Sequence, residues 1–307
     1  MLTRQLVVGA GPVGRHVASI LLDRGDEVVI ASRSGRDTGV VGARYIALDA
    51  SDADALSRAA EGVATIFSTA NPGRYPVWEA QWPPLAAAML TTAEHTGAVY
   101  AMTGNLYPYG PVTVPMVEGM PNAATDRKGV LRARIWADAL AAHRAGRVRA
   151  FEVRGSDYIA SSAPEGHVSR VLPRALAGRG IRMIGGLDQP HTFTDVKDVA
   201  RLLVAAADDP SAHGRTWHVP SHPAISQRQI MNELMDAAGR PRVRIRAIAP
   251  ATVRALGMFS PLLREVSDLT YLLTRPYILD DSAARQHFGM TESDWDDTLR
   301  RTVEAAH

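Results

Sequence analysis

The 307-residue chain contains no cysteine. That excludes disulfide bridges, thiolate zinc sites, iron–sulfur clusters and a cysteine nucleophile in one step. Lysine is nearly absent as well. Of the 34 basic residues only Lys128 and Lys197 are lysine, and the other 32 are arginine. Arginine does not replace lysine where a compact ammonium is required, so each retained lysine draws interest. Neither sign of charge dominates: the net charge is +2, which gives no basis for a nucleic-acid partner. No apolar run approaches the ~20 residues of a membrane span. The first residues read as a strand, not as a cleavable leader. The ten histidines show no His-Glu-x-x-His or comparable spacing, so no metal is expected. A cytoplasmic protein with a small-molecule substrate, and with neither nucleic acid nor membrane as partner, is the expectation.

What is present is ordinary globular material, 46% hydrophobic and 21% charged. The length corresponds to about two domains of ~150 residues. Apolar runs at 6–8, 28–31, 45–48, 64–68, 98–102 and 150–153 read as strands. Between them lie helical stretches, at 52–60 with Ser51 as its cap, at 85–96 and around 127–145. Irregular loops at 71–84 and 104–125 lead into the last two. Such alternation needs helical crossovers, so the fold class is α/β, a doubly wound parallel sheet. The second half is less regular, with helix-like segments near 167–177, 197–207, 226–238 and 282–288. We assign 1–155 to a dinucleotide-binding domain that also receives segments near 187–220. Residues 156–307 form mainly a smaller, irregular substrate-binding domain.

Gly9-Ala10-Gly11-Pro12-Val13-Gly14 stands between the first strand and the first helix. In that context the glycine spacing is a Rossmann-type dinucleotide signature. Gly9 permits the tight turn, Gly11 lets the backbone approach a pyrophosphate, and Gly14 lets helix and strand pack closely. Pro12 and Val13 open the helix whose N-terminus faces the phosphates. The end of the second strand reads Ala31-Ser32-Arg33-Ser34, where NAD-binding chains carry an acid. Ser32 and Arg33 suit a 2′-phosphate, so NADPH is the expected cofactor. Asp49 is a candidate acceptor for the adenine amino group, or a turn residue.

By the fifth strand the pattern resembles the extended short-chain dehydrogenase/reductase family, the NAD(P)-dependent epimerase/dehydratase group. The matching stretches are GAGPVG at 9–14, ALDASD at 47–52, Phe67 to Asn71, Val99 to Thr103, Tyr109-Gly110 and Arg127-Lys128-Gly129. They continue with Arg154 to Tyr158, His191 to Ala200 and Gly214 to Val219. The resemblance adds Ala50, Ala70, Asn71 and Lys128 to the cofactor set. It also implies a Ser/Thr, Tyr and Lys that act together, the last two as Tyr-x-x-x-Lys on the helix after the long loop. Lys128 fits the lysine, but four residues earlier stands Ala124. Thr103 or Asn105 fills the Ser/Thr position. The chain reads as an atypical member without the family's tyrosine.

Three replacements for that proton donor are open. Tyr109, Tyr107 or Tyr158 can approach from another loop; water can donate, ordered by Thr103 or Asn105; or the substrate can carry its own donor. The third suits hydroxylated aromatic ketones, and Tyr75, Trp78, Trp82 and the run 256–263 suit an apolar ligand or its lid. The leading expectation is therefore an NADPH-dependent ketoreductase for a bulky, polyketide-like ketone. Thr103, Tyr109 and Lys128 are its catalytic candidates; Asn105, Tyr107, Ser156 and Tyr158 are its substrate contacts. The alternatives are a non-catalytic NADP(H)-binding module and a nucleotide-sugar epimerase or dehydratase. Arg240, Arg242, Arg244 and Arg246 alternate as on one face of a strand, either to hold a diphosphate or as a solvated edge. The resemblance implies a homodimer through helices 85–96 and 127–145.

Overall fold

The computed structural model describes residues 3–161 and 166–306. The first six strands are β1 (Arg4–Val8), β2 (Glu27–Ser32), β3 (Arg44–Ala47), β4 (Thr65–Ser68), β5 (Val99–Asn105) and β6 (Arg149–Gly155). The later ones are short: β7 (Asp157–Ile159), β8 (Ile181–Ile184), β9 (Pro190–His191), β10 (Phe193–Asp195), β11 (Thr216–His218), β12 (Ile225–Ser226) and β13 (Ile245–Ile248). Seven of them make one parallel sheet in the order β3-β2-β1-β4-β5-β6-β11. This is the doubly wound Rossmann-type sheet. Its order reverses direction between β1 and β4, and ligands of such sheets bind in the crevice at that switch point.

Both faces of the sheet are covered. Along β1, Val7 enters one core with Val17, Leu203 and Trp217, while Leu6 and Val8 enter the other with Leu56, Met89 and Trp136. The period of two in a strand divides one apolar run between two cores. Helices α1 (Pro12–Asp23), α2 (Ala53–Ala59), α3 (Trp78–Thr96) and α4 (Arg127–Arg144) are the main coverings in the first half. A third core, with Ile181, Met183, Met231, Leu234 and Leu299, belongs to the C-terminal half. There β7 pairs with β10, β9 with β12 and β8 with β13.

Several local expectations are corrected. The third helix begins at Trp78, not at 85, and carries Pro83 and Pro84 inside it. Proline disfavours a helix interior, but Trp78 and Trp82, one turn apart, are both 5% exposed, and Trp78 Nε1 donates to Pro72 O at 2.7 Å. Burial of two indoles outweighs the lost backbone bonds. The cap of α2 is Asp52, not Ser51; its carboxylate accepts from the Asp54 and Ala55 amides. Of the four alternating arginines only Arg246 lies in a strand, beside Arg182 of β8. Arg242 instead pairs with Asp236 at 2.7 Å.

Candidate active site

The glycine turn is shaped by close approach. Gly9 has φ +116°, and a Cβ there would meet Ala70 N at 2.5 Å. A Cβ on Gly14 would lie 2.0 Å from Gly9 O, so the third glycine is a packing requirement beneath the site. Gly11, the N-cap of α1, is different: a Cβ there meets no atom within 4 Å. Gly9, Gly11, Pro12 and Val13 line a cleft of about 1140 Å³, and Gly14 does not. The open N-terminus of α1, with the close backbone approach at Gly11, fits the pyrophosphate of a nicotinamide dinucleotide. A bound dinucleotide would supply hydride donation or acceptance.

Ser32, Arg33, Asp49 and Ala50 line one end of the same cleft, and Ala70 and Asn71 follow along its wall after β4. Ser32 Oγ accepts from the Gly35 amide at 3.2 Å. Asp49 accepts from the Ser51 amide at 3.0 Å and the Ser51 hydroxyl at 2.7 Å. Those bonds, with Arg33 across the rim, hold its carboxyl below the usual range.

The other half of the cleft gathers Thr103, Asn105, Tyr107, Ser156 and Tyr158. Thr103 Oγ1 and Ser156 Oγ are buried and make no hydrogen bond among the described residues. Asn105 is committed to structure, since its Oδ1 accepts from the Tyr107 amide at 3.1 Å. The Tyr107 and Tyr75 hydroxyls lie 2.8 Å apart. Tyr158 OH donates to Gly104 O at 2.6 Å, and burial pushes its phenol up.

Two of the catalytic candidates are not open to the cleft. Tyr109 is 1% exposed, under the Arg154 guanidinium, with its hydroxyl 2.7 Å from His218 Nε2. The turn Tyr107–Tyr109 sends its two phenols in different directions, and Tyr109 joins a core with Met116 and Leu279 instead. Lys128 is 2% exposed. Its ammonium donates to the Glu265 carboxylate and, at 3.0 Å, to the Glu265 carbonyl. Glu265 sits on a short helix, Pro261–Ser267, which begins inside the 256–263 run read as a possible lid and extends past it. Leu262 of that helix does line the cleft, while Met258 and Phe259 are exposed.

The structure also identifies a residue the sequence reading passed over. Ala124 precedes Asp126, the N-cap of α4, so it cannot be one turn below Lys128 on the helix. Lys128 and Arg132, four residues further on, both turn inward. Arg132 lines the cleft, donates to Thr103 O at 2.7 Å and lies 4.3 Å over the Trp82 ring. Glu152 stands 3.7 Å from it and 2.7 Å from Arg154, so two buried guanidinium groups share one carboxylate. Helical spacing counted forward from Lys128 was the signal that reaches Arg132. Among the described residues no cluster suits a metal ion, and no helix is long and apolar enough to cross a membrane.

A glycine turn at a switch point, with one cleft continuing past the ends of β5 and β6, defines a nicotinamide-dinucleotide-dependent enzyme of the Rossmann class. The chain belongs to the NAD-dependent epimerase/dehydratase family, which it matches over residues 5–219. No curated protein matches it. Among solved structures it is similar to UDP-glucuronic acid 4-epimerase from Bacillus cereus in complex with NAD, at 16% identity over 99% of this chain and 98% of that one, TM-score 0.80. It is similar to the Bordetella bronchiseptica enzyme WbmH in complex with NAD+, at 17% identity over 99% and 98%, TM-score 0.78. It is also similar to DesIV, a dTDP-glucose 4,6-dehydratase from Streptomyces venezuelae, at 19% identity over 99% and 96%, TM-score 0.77. At such identities the likeness establishes the fold.

Proposed function

We propose that the protein uses a nicotinamide dinucleotide to oxidise or reduce a carbon–oxygen centre of a nucleotide-linked sugar, as an epimerase or dehydratase. One observation carries this reading. The cleft of about 1140 Å³ runs from the glycine turn past Thr103 to Arg170 and Arg182. It exceeds the roughly 300–1,000 Å³ of a typical single-ligand pocket. A dinucleotide and a second extended ligand fit together in such a space. Two arginines at the far end suit a diphosphate. The family match and the neighbours that act on UDP- and dTDP-linked sugars support the same choice.

A second reading is NADPH-dependent reduction of a bulky apolar ketone of aromatic-polyketide type. Trp78, Leu262, Val266, Leu269 and Leu272 in the cleft wall favour it. Arg33 and Ser32, with no acid at the end of β2, favour NADP(H) in either case. The absence of a tyrosine from the first turn of α4 favours a third, non-catalytic cofactor-binding role.

The test is a matrix of NAD(H) and NADP(H) against UDP- and dTDP-hexoses and hydroxylated aromatic ketones. Turnover is followed at the nicotinamide absorbance and by product mass. Sugar conversion without net cofactor consumption is the expected result. Ketone-dependent NADPH oxidation with no sugar conversion would replace the first reading by the second. Tight dinucleotide binding with no turnover of either class would favour the third.

A further inference from the structure

The first turn of α4 brings no free acid to the cleft, and the hydroxyls of Tyr107, Tyr109 and Tyr158 are all engaged elsewhere. Among the described residues, one carboxylate does line its substrate half. Asp157, on β7, follows Ser156 and is 24% exposed, whereas its partner His191 is 3% exposed. His191 Nε2 lies 3.0 Å from Asp157 Oδ2, and His191 Nδ1 lies 3.2 Å from the Leu272 carbonyl.

The two nitrogens have different partners, and this determines the proton count. A carbonyl oxygen only accepts, so Nδ1 carries a proton. A bare Nε2 lone pair 3.0 Å from an ionised carboxylate would be repelled by it. One further proton on the pair, as imidazolium–carboxylate or as imidazole–carboxylic acid, would remove that repulsion. The Nε2–Oδ2 contact is off the ring's N–H axis, so the pair is a contact of charges more than an aligned hydrogen bond. His191 itself is fixed by stacking on Tyr277 at 5.2 Å and by the backbone bonds between β9 and Tyr277.

We propose that Asp157 is the general acid–base of this enzyme, with His191 the positioning residue that holds its proton. The proposal rests on the reading above that a carbon–oxygen centre reacts in this cleft. In the oxidising direction the substrate O–H bond breaks and an O–H bond forms on Asp157. The electron pair stays on the substrate oxygen and becomes part of the carbonyl as the C–H bond on the same carbon breaks, its own pair leaving as hydride to the oxidised dinucleotide that would be bound. In the reducing direction the same proton returns to that oxygen, and the pair is restored. The acid–base pair handles only the proton; the two electrons would pass as hydride to or from the nicotinamide dinucleotide named in the reading above.

Among the described residues, few groups face the pair. His167, which also lines the cleft, faces Asp157 and His191 and lies near Arg170. The Tyr107 and Tyr277 phenols approach from the other side. Burial raises the Asp157 carboxyl, and the His191 imidazole more than reverses this, so the carboxylate form is held at neutral pH. Burial keeps His167 low, so it is neutral there.

The experiment has two readouts. In the full-length protein labelled with 15N-histidine, His191 should show both ring nitrogens protonated near pH 7. Asp157→Asn should leave only Nδ1 protonated. An unchanged His191 signal in that variant would overturn the shared proton. With a substrate from the matrix above, Asp157→Asn should lower kcat by about 10²–10⁴-fold. Dinucleotide affinity should be kept and the acidic limb of the pH profile lost. His191→Gln should move that limb and lower kcat less. Asp157→Asn activity within about threefold of wild type, with the same pH profile, would overturn the proposal, as would His167→Gln alone removing the limb. If wild type binds no dinucleotide, the functional reading fails, and the nitrogen signals still decide the pairing.

Discussion

Lys128 and Glu265, 137 residues apart in the chain, meet as an almost buried ion pair. It fastens the helix Pro261–Ser267 to the N-terminal turn of α4, where Arg127 joins the same carboxylate. Removing one partner leaves the other charge buried alone, which typically costs about 3–5 kcal/mol. Glu265 is 14% exposed, so the lower part of that range is expected. Glu265→Ala should lower the denaturation midpoint and open new protease cleavage between residues 250 and 274. Calorimetry with mass mapping of the fragments checks both, and an unchanged cleavage pattern would show that the pair does not fasten this segment.

Arg33 and Ser32 stand at the rim with no acid beside them at the end of β2. A charge-assisted hydrogen bond contributes about 1.5–3 kcal/mol, or roughly 10–100-fold in affinity. Arg33→Ala should weaken NADPH by that factor and NADH only slightly. Equal losses in a fluorescence titration would mean that Arg33 makes no contact with a 2′-phosphate.

The glycines of the turn should separate into two kinds. Gly14→Ala puts a methyl 2.0 Å from Gly9 O and should lower the melting temperature along with binding. Gly11→Ala meets no protein atom within 4 Å and has φ −76°, so its melting should be near wild type. Its dinucleotide affinity should still fall by about tenfold or more, because the methyl occupies the approach of the pyrophosphate. Melting curves and titrations of the two variants read this contrast.

His218 links stability to pH. Burial lowers its imidazole to about 4, against an ordinary value near 6.5. Between those values the unfolded chain binds the extra proton, so stability falls as the pH drops from about 6.5 to about 4 and is level above. The full contribution is of the order of 3 kcal/mol. His16, His167 and His213 are lowered too and act in the same direction. Urea denaturation of wild type at pH 7.5 and 4.5 should show the loss, and His218→Gln should reduce it. Tyr109→Phe removes the hydroxyl partner of His218 and should lower stability by about 1 kcal/mol. Its turnover should stay close to wild type, because Tyr109 lies outside the cleft.

The parts legible in the sequence were those set by neighbours along the chain. The turn at 9–14 is strand, glycines and helix within twenty residues, and its chemistry is backbone chemistry. Continuous apolar runs separated by helices likewise point to a parallel sheet, since both faces must be buried. Side-chain direction was harder. Tyr107 and Tyr109 look equivalent in sequence, yet one lines the cleft and the other contacts His218 beneath it. Lys128 was visible as a rare lysine, but Glu265, which occupies it, is set by the tertiary fold. Asp157 and His191 were each inside quoted stretches, and only the pairing of β7 and β9 with their neighbours reveals that they meet. Arg132 was missed because the spacing was counted back from Lys128 to Ala124, the position of the family's tyrosine, and not forward by one turn of the helix.

The seventh strand of the sheet has a further consequence. β11 pairs with β6 across sixty intervening residues, so the fold's edge is closed by chain from its own second half. Contacts of such long sequence separation form late and slow the search for the native state. Two buried charged residues of β6, Glu152 and Arg154, lie in the register that β11 pairs with. The two halves are therefore woven rather than joined: the sheet built by the first half takes its last strand from the second.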